Sequence, residues 1–469
     1  MERKVILLLF LLTFTIPVIP GNLIKNSNNP LSDIPKAKEE FSLNDLQYRT
    51  FKFFWEQADS VSGLIPDRTP SRPFSSIAAT GFGLTSYIVG VEHNYITRKQ
   101  AAARVLKTLR FLARLPQNAD KTGTAGYKGF FYHFLDLRTG MRYKDVELSS
   151  IDTGLLMAGI LSCMSYFDTF NDTEISIREL SNILYRRVEW DWMMTGSDKM
   201  SMGWHPGVGF INSTWDGYNE AMLLLIMAMG SPTHPIAKGS WEAWCKTYKW
   251  DKYRGQEMVN FGPLFGHQYS QMYIDFKGIR DAYIKTKGID YFENSRRATL
   301  AQQAYCKANP GNWDGYDEKT WGLTACDGPG YLVTLRKGKK VEYQEYLARG
   351  IAAGYIVDDG TLSPTAPAGS IPFAPGICIS ALENMYRKFG DKIYGIYGFT
   401  DAFNVSYREG INNNLGWFDT EYIGIDQGPI VIQIENYKTG LVWKTIRKNA
   451  YIVNGLKLAG FSGGWLDTK

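Results

Sequence analysis

The chain has 469 residues, 44% of them hydrophobic and 21% charged, so a large ordinary globular core is expected. Its formal charge of +5 is small for that length and is not clustered along the sequence, which argues against a nucleic-acid partner. Aromatic residues are the outlier at 14%, with 13 Trp and 28 Tyr, and composition shows no seam between domains.

The first residues read as an export signal: Arg3 and Lys4, then the apolar run Val5 to Ile19, with cleavage near Gly21. Pro17 and Pro20 break the run and leave it too short for a convincing membrane span, so the competing reading as an anchor is the weaker one. No cysteine stands near the cleavage point, which disfavours a lipoprotein. The expectation is a signal peptide over 1–21, a linker over 22–42 rich in Asn, Pro, Ser and Lys, and one domain over 43–469. Such a protein is periplasmic or secreted, without stable membrane insertion after cleavage, and a monomer is expected.

Helical signals begin at Ser42, where Ser42-Leu-Asn-Asp45 resembles a capping box, and run nearly to the end. Some stretches are amphipathic. After Thr97-x-x-Gln100, Val105, Leu109 and Leu112 share a face opposite Arg104, Lys107 and Arg114, and 175–188 and 341–356 look similar. Others are apolar or small nearly all round: 151–164, 221–229 and 371–382. A helix apolar on every face must be buried on every face. Alternation of the two styles predicts an all-α protein, an (α/α)6 toroid of inner helices ringed by outer ones. Its long loops would carry minor β-hairpins at the mouth, with 199–214 as one such hairpin or loop. Parallel inner helices would open their N-termini on one mouth and bring distant residues together there.

Four acidic stretches stand just before apolar segments. Trp215-Asp-Gly-Tyr-Asn-Glu220 precedes Ala221 to Met229, and Trp313-Asp-Gly-Tyr-Asp-Glu318 repeats the hexapeptide with one change. Residues 147–152 and 426–429 complete the set, and Asp327 is a further entrance acid after Trp321. A carboxylate beside Trp and Tyr at the mouth of a buried helix is how a glycosidase presents its acid. Hydrolysis of a glycosidic bond needs one carboxyl to protonate the leaving oxygen and another to activate water or attack. Glu220 is the candidate acid, with Trp215 and Tyr218 as the apolar wall that raises its pKa. The helix N-terminus works the other way, favouring the anion, and Glu220 could equally cap its own helix.

For the second carboxyl the sequence leaves several candidates open. Asp426, in Gly424-Ile-Asp-Gln-Gly-Pro429, is either the base or a helix cap, with Pro429 in the first turn. Asp145, Glu147 and Asp152 put three acids within eight residues, more than capping requires. Trp215, Tyr218 and Trp417 are the choices for sugar stacking, with Trp321 a further binding candidate. His133 and Asp136, in Tyr132-His-Phe-Leu-Asp136, and His205 are binding candidates; a lone histidine in such a setting is more often a hydrogen-bonded residue than a proton shuttle. Gly- and Pro-rich 361–375 reads as a rigid loop at the mouth. The five cysteines are scattered, without Cys/His ligand spacing, and neither a metal nor another cofactor is implied. A phosphate-binding Gly-x-x-x-x-Gly-Lys loop and a His-Glu-x-x-His motif are both missing from the sequence.

Five ordered motifs now fall together: Tyr132-His-Phe-Leu-Asp136, Glu147-Leu-Ser-Ser-Ile-Asp-Thr153, Trp215 to Glu220, Trp321-Gly-Leu-Thr-Ala325 and Ser363-Pro-Thr-Ala-Pro367. The set resembles the bacterial glucoamylase-like family, whose characterised members form glycoside hydrolase family 144, over roughly residues 43–460. The resemblance implies an (α/α)6 toroid and endo-acting hydrolysis of β-1,2-glucan with inversion. Glu220 matches the position of the family's catalytic glutamate. Asp426, Asp401, Asp145, Glu147 and Asp152 stay open for the second acid, Asp401 also reading as a loop cap. Two other classes compete with the hydrolase: a polysaccharide lyase on a toroid, using His205, Tyr218 and Asn219, and a non-catalytic glycan-binding protein. A mouth lined with acids would repel the acidic polymer that a lyase cleaves.

Overall fold

A computed structural model describes residues 40–409 and 415–468. The signal peptide expected over 1–21, and the linker except for its last three residues, lie outside the described residues. In chain order the first helices are α1 (Leu43–Gln57), α2 (Ile77–Glu92), α3 (Arg98–Arg114), α4 (Ser150–Tyr166) and α5 (Asp172–Arg186). Then come α6 (Ala221–Gly230), α7 (Gly239–Cys245), α8 (Phe265–Tyr273), α9 (Ala282–Lys285) and α10 (Tyr291–Ala308). The last are α11 (Thr365–Gly369), α12 (Pro375–Ile393), α13 (Gly424–Lys438), α14 (Leu441–Ile446) and α15 (Ala450–Leu458).

Packing arranges them as the expected toroid. Going round the inner ring, α2 packs on α4, α4 on α6, α6 on α8, α8 on α11, α11 on α13, and α13 back on α2. Outside it, α1 covers the α13–α2 seam, α3 and α5 cover α2 and α4, α15 covers α6, α10 covers α8 and α12 covers α11. The two helix styles of the sequence are these two layers. In α6 every residue is buried, and α2 and α4 are buried nearly throughout. The outer α3 opens with a full capping box between Thr97 and Gln100, as its sequence predicts. Ser42 caps α1 without the reciprocal half of a box being formed.

Glycines let backbones meet inside the ring. A Cβ on Gly159 would stand 2.1 Å from the Gly81 carbonyl oxygen, and one on Gly81 would stand 2.3 Å from that of Leu155. The α2–α4 seam is therefore a backbone-to-backbone contact. The ring closes at Glu435 of α13, whose carboxylate accepts from Gln47 Nε2 of α1 at 2.8 Å and lies 2.5 Å from His93 Nε2 just beyond α2.

Very short antiparallel strands lead into three inner helices. Ser75–Ser76, paired with Phe134–Leu135, runs into α2. Leu148–Ser149, paired with the 203–210 hairpin expected from the sequence, runs into α4. Tyr422–Ile423, paired with Arg68–Thr69, runs into α13. These pairings aim the residues beside each helix start at a common mouth.

Four readings of the elements are corrected. Residues 341–356 are not a helix but strands: Lys339–Tyr343 pairs with Leu332–Arg336 about a Lys337-Gly338 turn at positive φ, and Gly350–Ala352 pairs with Tyr355–Val357 about Gly354. β-Branched residues and well-spaced glycines outweigh an apparent 3.6-residue period there. The run 371–382 is not buried on every face: α12 starts at Pro375 and its exposed side makes it an outer helix. The 361–375 segment is no simple loop, since it holds the buried inner helix α11. Finally, the second hexapeptide opens no helix, and Glu318 is an exposed partner of Lys307 at 2.9 Å.

Candidate active site

Glu220 stands at the start of α6 with helical backbone angles and makes no side-chain cap, which disposes of the capping reading. Only 8% of it is exposed and its Oε2 has no hydrogen-bond partner. Burial pushes its carboxyl up to about 7, with a smaller push from Asp152, and outweighs the pull of the backbone N–H groups. The cap of α6 comes instead from its neighbours: Asn219 Oδ1 accepts from Ala221 N, and Ser270 of α8 accepts from Leu223 N while donating to the Glu220 carbonyl. One carboxyl oxygen, Oε2, is thereby left free.

Trp215 and Tyr218 place this acid but offer no ring to a sugar. Trp215 is buried, its Nε1 donating to Ser150 Oγ at 2.9 Å, and Tyr218 is buried, stacked on Tyr291 at 5.8 Å. Both stacking assignments are corrected on that ground.

A second group of charges flanks the start of α4. His133 sits between two acids, its Nδ1 2.8 Å from Glu147 Oε1 and its Nε2 3.5 Å from Asp152 Oδ1. Burial disfavours a charged ring, but Asp152 and Glu147 outweigh it and push His133 up to about 9. Burial likewise opposes ionisation of both acids. The histidine wins at Glu147, which is lowered, and loses at Asp152, which is raised despite accepting from Ser149 Oγ. Asp145, by contrast, is fully exposed, 3.9 Å from Arg142, and is corrected to a surface residue.

Across the mouth lies a third group. Asp426 is in the first turn of α13, which starts three residues earlier than a cap at Asp426 would set, so Pro429 falls inside the helix and Asp426 caps nothing. A proline removes the N–H that would bond the carbonyl four residues back. That carbonyl, of Ile425, accepts instead from the Tyr269 hydroxyl at 3.0 Å. Asp426 is 4% exposed, and burial pushes it up to about 8 against the hydrogen bond from Asp401, with Asp327 and Asp67 adding to the rise. Asp401 is raised well above the usual range by burial and by Asp426, and the two hydrogen-bonded carboxyls titrate as a pair. One oxygen of Asp401 accepts from Asp327 N at 2.7 Å; the other has no N–H or hydroxyl donor. Asp327 is held by Arg68 Nη1 at 2.6 Å, and Arg68 also grips Asp67 at 3.0 Å.

Tyr269 joins the groups: buried, its phenol is held protonated by burial and by the charges of Asp426, Glu220, Asp152 and Asp401 together. The acids of α4, α6 and α13 thus face one space, as the ring geometry requires.

The remaining candidates separate. Asp136 is exposed and caps its own turn, accepting from Arg138 N, Thr139 N and the Thr139 hydroxyl. Trp321 is wholly buried and cannot stack on a ligand. His205 Nδ1 faces Arg142 Nη2 at 3.2 Å, and burial with that charge lowers its pKa. Trp417 is half-buried, two residues before Asp419.

Sequence reasoning missed Asp419, Asp67, Arg68, Tyr269 and Tyr346. Asp419 is 8% exposed and pushed up to about 8 by burial and by Asp401 and Asp327. Its signal was the acid just after Trp417 and Phe418, upstream of Gly424. Tyr346 is raised by burial and by Asp426, Tyr269 and Asp401, which places it in the same space.

Comparison with known proteins supports one family. The glycoamylase family model, described as "Putative glucoamylase", matches residues 212–450, about half of the chain. A Parabacteroides distasonis exo-β-1,2-glucooligosaccharide sophorohydrolase (non-reducing end) is 30% identical over 89% of this chain. The chain spans 58% of that relative's length. A crystal structure from Bacteroides uniformis carrying the same glucoamylase description is 34% identical, with a TM-score of 0.79 over 92% of this chain and 100% of that one. An endo-β-1,2-glucanase from Chitinophaga pinensis, solved with sophorotriose and glucose, is 29% identical, with a TM-score of 0.77 over 90% and 98%. The chain belongs to the glycoamylase family.

Proposed function

We propose that this protein is an exported endo-β-1,2-glucanase, acting with inversion, in which Glu220 protonates the leaving oxygen and Asp426 activates water. The observation that carries the reading is Glu220: a buried carboxyl with a free oxygen, held near 7 at the mouth, is an acid that keeps its proton at working pH. Asp426 answers it from the start of α13, beyond the Tyr269 hydroxyl. Asp426 takes the proton from water in its ionised form, with Asp401 hydrogen-bonded beside it. Asp152 and Glu147, tied to His133, are better suited to accept hydroxyls of the sugar next to the scissile bond. Trp417 supplies the stacking face.

The substrate comes from the relatives, which act on β-1,2-linked glucose polymers and oligosaccharides. The experiment is product analysis of the purified chain on β-1,2-glucan, β-1,3-glucan and starch. A ladder of short oligosaccharides from β-1,2-glucan alone, released first as α-anomers, is expected. Disaccharide as the sole product would replace endo with exo action, as in the Parabacteroides relative. Release from starch only would overturn the linkage.

A further inference from the structure

The carboxylates of Asp327, Asp401 and Asp419 converge more tightly than proton donors require: one oxygen from each lies within 4.8 Å of the others. Three separate loops deliver them, each just after a two-residue strand: Ala325–Cys326, Gly398–Phe399 and Trp417–Phe418. Each carboxylate has one oxygen anchored. Asp327 Oδ2 is held by Arg68, Asp401 Oδ2 by the Asp327 N–H, and Asp419 Oδ1 by the N–H groups of Thr420 and Glu421. Anchoring fixes where the second oxygen points. Asp401 Oδ1 and Asp419 Oδ2 are buried without an N–H or hydroxyl donor, and Asp426, from a different element, is hydrogen-bonded to Asp401 at the edge of the group. Arg68, itself shared with Asp67, is the cation set against this concentration of acids. Buried carboxylate oxygens without such donors are costly, and a fold that positions two of them so firmly has something for them to bind.

We propose that Asp327, Asp401 and Asp419, with Asp426 facing them, form a site for a calcium-type divalent cation. The donor set is all carboxylate oxygen, without His or Cys, and so suits a hard cation. Ligand number favours calcium, which takes several carboxylates among about six to eight oxygens, whereas magnesium usually keeps its waters and is held by one or two carboxylates. Metal spacing was invisible in the sequence because the ligands lie 74 and 18 residues apart, at 327, 401 and 419. The bound ion would neutralise the acids next to Asp426 and fix that side chain without touching Glu220.

The test is calorimetric titration of CaCl2 into the EDTA-treated whole chain, with MgCl2 alongside and melting temperature as a second readout. One calcium per chain is expected, with a higher melting temperature and weaker or no magnesium binding. Both effects should disappear in Asp419→Asn and in Asp327→Asn, each checked for native circular dichroism. No calcium heat at millimolar concentration, or binding that survives both substitutions, would overturn the site. Neither readout involves glucan, so the site can fail while the hydrolase reading stands, and the reverse.

Discussion

At the scale of single residues the account rests on the environment of Glu220. With the acid Glu220 near 7 and the base Asp426 near 8, kcat/KM should be bell-shaped, highest between about 7 and 8, falling below as Asp426 gains a proton and above as Glu220 loses its own. A pH profile whose basic limb lies above 9 would assign the acid elsewhere. The Glu220 shift has a stability consequence. The folded pKa lies above the unfolded value of 4.5, so the contribution is fully present below 4.5 and is lost as pH rises through 7. The loss is of the order of 3 kcal/mol above that point, from about 1.4 kcal/mol per unit. Glu220→Gln should therefore melt above the wild type at pH 8 and show no such advantage at pH 4.5. Equal melting temperatures at both values would contradict the burial argument. Glu220 was legible in the sequence because aromatics, an acid and an apolar run are neighbours there. Asp419 and Arg68 were not, since each acts through partners far along the chain: Arg68 meets Asp327, and Asp419 meets Asp401.

At the scale of elements, the inner helices were read best where apolar character runs all round, as in α4 and α6. Amphipathic period misled at 341–356, where the local turn chemistry of Gly338 and Gly354 sets strands. It misled again at 371–382, where a burial limit inferred from apolar residues ignored Pro375, which starts α12. The start of α13 was missed by a few residues because Pro429 looks like a first-turn proline. Only the fold supplies the Tyr269 hydroxyl that satisfies the carbonyl it leaves free. The α2–α4 seam makes its own prediction. Gly159→Ala forces a methyl against the Gly81 carbonyl at 2.1 Å, which the backbone can relieve only by moving a helix. Overpacking of this kind costs about 1–3 kcal/mol or more, and chemical denaturation should show it as a lower midpoint. An unchanged midpoint would mean that the seam is looser than described.

At the scale of the whole molecule, a ring of inner helices makes one site out of residues that the sequence keeps far apart. Glu147 and Asp152 come with α4, Glu220 with α6, and Asp426 with α13, whose far end closes the ring through Glu435. The toroid could be inferred from alternating helix styles, but which acids would stand opposite Glu220 could not. Loops between 327 and 426 decide that, and they carry little periodicity. The described helices include none long and apolar enough to cross a membrane. The central claim is that this convergence is catalytic and that Glu220 is its acid. The most direct test is kcat/KM on β-1,2-glucan for the wild type and Glu220→Gln, side by side at pH 6. The account predicts a fall of about 10²–10⁴-fold with the fold intact. A loss of less than about threefold, well short of what removing a general acid costs, would contradict it.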